Sequence, residues 1–79
     1  MQGIVKTTHY YATLQARDDW RWLAEYAAAQ GFGNDVERLQ PPAGAGHRVI
    51  DKQIGRLKAV MGVTLPVCEL QRVTAEVAA

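Results

Sequence analysis

The stretch KAVMGVTLPVCELQRV, residues 58–73, admits two incompatible readings, and the fold turns on which is taken. In one, Gly62 and its neighbours form the turn before a second, DNA-reading helix. In the other, a helix ends at Gly62 and a loop leads into a closing β-strand. A helix-turn-helix needs apolar positions on its first helix, a glycine at the turn, an apolar residue after it and a hydroxyl cap. LKAVMGVT supplies all of these, with Thr64 as the cap. Two features count against it. Lys58 stands where the helices would cross and a small side chain is wanted. The second helix would open with Leu65, Pro66, Val67 and Glu69, none of them a side chain that reads base edges or grips phosphate. On this alternative Arg56, Lys58 and Thr64 are the DNA-contacting residues.

As a strand, VCELQRVT is rich in β-formers and Pro66 stands at its first position, where a missing donor is tolerated. Its alternation is imperfect, because Val67 and Val73 point one way and Leu70 the other, while Val67, Leu70, Thr74 and Val77 also follow a helical period. The strand reading is preferred.

Working outward, KQIGRLKAVM reads as a helix, with Asp51 as its cap, Gly62 as its end, and Ile50, Ile54, Leu57 and Met61 as its apolar face. HRVI is either a short strand or the start of this helix, and if the helix starts early, within it, then Arg48, Lys52 and Arg56 align at i, i+4 and i+8 on the opposite side. Before it, AGAG is a flexible connector and DVERLQ a short edge strand, with one helical turn behind Asn34 as the competing reading. RDDWRWLAEYAAAQG is the clearest helix: Asp18 or Asp19 caps it, Gly31 closes it, and Trp20, Trp22, Leu23, Tyr26 and Ala27 share a face suited to core packing. Residues 4–15, IVKTTHYYATLQ, read as a strand with Ile4, Tyr10, Ala12 and Leu14 buried, and His9 and Tyr11 on the wet side. A helix continued back through this stretch would carry Tyr10 and Leu14 on its polar side.

The expected architecture is therefore one α+β domain over residues 1–79, in the order β-α-β-β-α-β, resembling a ferredoxin-like sandwich with two helices on one face of an antiparallel sheet. The likeness is architectural only, since the metal-binding, RNA-binding and hydrolase signatures of such modules are missing. The alternative is a mostly α chain with an N-terminal strand and a C-terminal helix-turn-helix over residues 51–77.

At 79 residues the core is thin. The lone Cys68 cannot form an internal disulfide and suits a reducing compartment, so self-association is an open means of adding stability. A net charge of +1 supplies no global field to hold nucleic acid or an anionic membrane. The absence of a long apolar run argues for a soluble, cytoplasmic protein.

No nucleophile elbow, phosphate loop, metalloprotease helix or cysteine pair is present. His9, His47, Asp51 and Cys68 are metal-ligand types, but no two share ligand spacing within one element. GAGHRV has the backbone freedom of a phosphate cradle without its third glycine, and reads as a connector. No catalytic residue, metal or cofactor is expected. The expectation is a small non-catalytic interaction module that binds another protein, and itself as a homodimer, through His9 and Tyr11 or through Arg48, Lys52 and Arg56. A bacterial or phage accessory factor that inhibits a host protein fits this description, and a helix-turn-helix transcriptional regulator is the alternative.

Overall fold

The computed structural model describes residues 8–78, of which Ala78 is described by its backbone alone. Four helices follow one another: α1 (Thr8–Ala29), α2 (Gly33–Arg38), α3 (His47–Met61) and α4 (Val67–Ala78). No strand occurs among the described residues, so the ferredoxin-like sandwich is overturned, and with it the N-terminal strand of the mostly α alternative. The mostly α class itself agrees with what is seen.

The predicted first strand lies partly outside the described residues, and from Thr8 onward it is the first two turns of α1. Helix wins here because Ala12, Leu14, Gln15, Ala16 and Arg17 are strong helix formers and no β-branched residue follows Thr13. Local bonds assist: Thr13 Oγ1 donates to the His9 carbonyl at 2.9 Å, and Gln15 Nε2 donates to Asp19 Oδ1 at 3.0 Å, both at i,i+4. The polar-side placement of Tyr10 and Leu14 is real, and both remain exposed. It does not stop the helix, because the deciding stripe is Ala16, Trp20, Leu23 and Ala27, spaced four, three and four residues apart and all buried.

Gly31, at φ +99°, ends α1: the Phe32 amide donates to the Ala27 carbonyl at 2.9 Å and Gly31 to Ala28 at 3.1 Å. This is the paired C-terminal motif in which a left-handed residue satisfies the last carbonyls. The expected DVERLQ edge strand is instead the short α2, whose Val36, with Leu39 just beyond it, enters the core. Asp35 accepts from Arg38 at 2.8 Å, an i,i+3 pair that only a helical turn allows.

The early start of α3 at His47 is observed, and Gly46, not Asp51, stands at its N-cap. Asp51 sits inside the helix and is exposed. Ile50, Ile54 and Leu57 are buried and Met61 packs at the margin, as the apolar spacing requires. Gly62 closes α3 in the left-handed conformation (φ +73°), with Val63 donating to the Lys58 carbonyl at 2.9 Å.

The deciding stretch resolves as helix, turn and helix. Pro66 precedes α4 and accepts, through its carbonyl, the amide of Leu70 at 3.0 Å, so the proline opens a helix and not a strand. The period Val67, Leu70, Thr74 is the one used, and Val67 and Leu70 are buried. Val73 and Val77 remain exposed.

One continuous core joins the four helices. Among the described residues α1 is the only helix that approaches each of the other three, α2 also touching α3. No Cα of α3 comes within 8 Å of one of α4. The Gln53 amide ties α3 to the residue after α2, donating to the Leu39 carbonyl at 2.8 Å.

Candidate functional site

The two histidines are brought together. His9 at the start of α1 meets His47 at the start of α3, edge to face, with ring centroids 4.4 Å apart. His47 Nδ1 is buried and has no hydrogen-bond partner among the described residues. Among the described residues no three His, Cys, Asp or Glu side chains gather in a metal-binding group. The two rings lie far apart in the sequence, and only the tertiary packing of α1 on α3 makes them neighbours. The expected wet face of His9 with Tyr11 dissolves, because residues two apart in a helix point to nearly opposite sides. Tyr11 is exposed and rests against Tyr10 (centroids 5.5 Å), not beside His9.

The basic row keeps its predicted form. Arg48, Lys52 and Arg56 are all exposed on the outer side of α3, opposite Ile50, Ile54 and Leu57. None of the three makes an ion pair among the described residues, and Arg56 donates only to Gln53 Oε1 at 3.2 Å. Elsewhere the arginines are used differently. Arg21 faces Asp18 at 3.9 Å, Arg38 faces Asp35 at 2.8 Å, and Arg72 bridges Glu69 and Glu76, each at 2.7 Å. Hydrogen bonds donated to Glu69 first, and then to Glu76, hold the Arg72 guanidinium still more firmly protonated than usual. The cation of α4 is thus neutralised within its own helix, whereas those of α3 are left to face outward. Val49 and Val60, both exposed, flank the row.

Of the residues assigned to DNA under the alternative, Arg56 belongs to this row. Lys58 is half-buried on another side, bordering a depression with Asp19 and Asp51, and Thr64 is exposed in the turn. Sequence reasoning does not foresee a second feature, a cleft of about 280 Å³ where Arg17 and Trp20 meet the segment running from Gln40 to Ala45. Its one trace in the sequence is the glycine-rich approach to α3.

No protein-family model matches the chain, and comparison with curated proteins and with solved structures returned no match. No helix among the described residues is long and apolar enough to cross a membrane.

Proposed function

We propose that this chain is a non-catalytic protein-interaction module that uses the outer face of α3 to bind an acidic surface on another protein. The observation that carries the reading is the row Arg48, Lys52, Arg56, which projects three cations from one rigid helix with no carboxylate answering them among the described residues. Leaving cations unpaired on a chain of net charge +1 has no benefit for packing, yet it supplies complementarity to a negative partner. The exposed valines beside the row add apolar contact, and that mixture of arginine with apolar surface suits a protein interface better than a phosphate backbone.

DNA reading receives less support from the same geometry. The second helix of a helix-turn-helix packs closely across the first, and here no Cα of α3 comes within 8 Å of one of α4. The exposed side of α4 also carries Glu76 beside the internally paired Arg72, which gives phosphate no attraction.

The test is affinity capture from a bacterial lysate treated with nuclease, comparing the native chain with a variant carrying Arg48→Glu, Lys52→Glu and Arg56→Glu. A defined acidic protein should be retained by the native chain, and the variant should bind it at least ~10-fold more weakly. Equal capture by both chains, or recovery of nucleic acid alone when nuclease is omitted, rejects the proposal.

A further inference from the structure

The outer face of α3 carries a residue that the fold itself does not call for. Gly55 stands in the middle of the helix, where glycine is weaker than alanine. The positive-φ glycines are Gly31, Gly44 and Gly62, so no left-handed backbone requires a glycine at position 55. Apart from its chain neighbours and its own helix backbone, no atom lies within 4 Å of the point where a Cβ would stand, so no close packing requires it either. Gly55 is exposed, as is Ala59 one turn on. At about 100° per residue both fall on the side of α3 that carries Arg48 and Lys52, opposite Ile50, Ile54 and Leu57.

The face therefore combines cations with a shallow place between them. Arg48, Lys52 and Arg56 run along it without an ion pair among the described residues, and the exposed Val60 borders it. Small side chains at positions 55 and 59 let a second element come close to the axis of α3. An extended chain gains little there, because its backbone groups need partners. The backbone of α3 is committed within the helix, and no strand edge occurs among the described residues. A helix arrives with its backbone groups already paired. The spacing agrees, since Arg48 and Arg56 are separated by about 12 Å along α3, and carboxylates at i, i+4 and i+8 of a second helix cover the same distance. Asp51, the one acid of α3, is exposed beside Gly55 and penalises a partner acid placed in that register.

We infer that the partner docks as an acidic amphipathic α-helix laid along α3. Its carboxylates meet Arg48, Lys52 and Arg56, and its small or apolar side packs on Gly55, Ala59 and Val60. The inference rests on the reading of α3 as the binding face and names the element that covers it. A side chain at position 55 would hold that helix away and weaken the contacts at the cations and at the valine together.

The experiment is a fluorescence-anisotropy titration of the full chain, at low salt, with a labelled alanine-based helical peptide that carries glutamate at i, i+4 and i+8 and leucine on the adjoining side. A second peptide, with prolines in place of interior alanines, keeps the charge and loses the helix. The native chain should bind the helical peptide roughly tenfold more tightly than the proline peptide. Gly55→Leu should weaken the helical peptide roughly tenfold and the proline peptide little, and Gly55→Ala should act in the same direction by a smaller factor. Circular dichroism should show both variants at least as helical as the native chain, since leucine and alanine favour a helix and the site is open. Arg48→Glu combined with Lys52→Glu and Arg56→Glu should abolish binding of either peptide. Equal affinity for the two peptides, or a folded Gly55→Leu variant that binds the helical peptide as well as the native chain, would overturn the inference and leave the row as a surface for acidic groups of any conformation. No binding of either peptide by the native chain would overturn both the inference and the reading beneath it.

Discussion

His47 shows how much one atom can matter in a small core. Its Nδ1 is buried and gains no partner among the described residues, while its ring packs edge to face on His9. Phenylalanine preserves the edge-to-face contact and removes the unsatisfied nitrogen, so His47→Phe should raise stability by about 1 kcal/mol in urea denaturation. Leu23 and Leu57 are fully buried, one on each of the two long helices. Either one replaced by alanine should cost about 2–5 kcal/mol in the same measurement. Gly62 has the opposite sensitivity. Space for a methyl group is present, but φ +73° is unfavourable for an L-residue, so Gly62→Ala should destabilise by roughly 1 kcal/mol. Most of these positions are legible from spacing alone, which places Trp20, Leu23, Ala27, Ile50, Ile54 and Leu57 on apolar faces, and all six are buried. Ala16 is not, because a small side chain reveals its burial only through the neighbour that approaches it. Leu14 and Tyr10 read as members of a buried face and are exposed, since they belong to a helix whose buried stripe passes elsewhere.

At the scale of elements, the two helices bounded by left-handed glycines are readable, and the segments read as strands are not. Residues 8–15 and 67–74 each contain enough β-branched and aromatic side chains to suit a pleated surface. A strand, however, needs a neighbour for its backbone groups, whereas a helix satisfies them locally. With both candidate strands imperfectly alternating, local satisfaction prevails. The consequence for α4 is unequal anchoring. Val67 and Leu70 hold its first half, whereas Ala75, Glu76 and Val77 are exposed. Deleting residues 75–79 should leave the thermal midpoint nearly unchanged, while Leu70→Ala should lower stability by about 2–4 kcal/mol; a large loss on truncation would contradict the described packing. On α3, Gly55 is exposed, and nothing lies within 4 Å of the point where an alanine methyl group would stand, so Gly55→Ala should add about 0.5–1 kcal/mol through helix propensity. Gly55 lies beside the Arg48, Lys52, Arg56 row, so the same change tests whether a partner approaches the helix backbone closely there.

For the molecule as a whole, α1 is the organising element, since among the described residues no Cα of α3 comes within 8 Å of one of α4. The candidate surfaces are legible only in part. The basic row can be read because charges on the outer side of an amphipathic helix follow from the position of its apolar residues. The Trp20 cleft cannot, because it is made where an irregular segment folds back over α1, and no periodicity describes such a segment. The principal extents, 48 × 30 × 17 Å, describe a slab. Packed helices lie about 8–10 Å axis to axis, so the shortest dimension admits two layers at most. In a body so shallow the fully sheltered positions are few, Leu23 and Leu57 being the largest. Thinness therefore leaves little in reserve: loss of either leucine should quicken amide exchange along the whole of α1 and α3 rather than at one end.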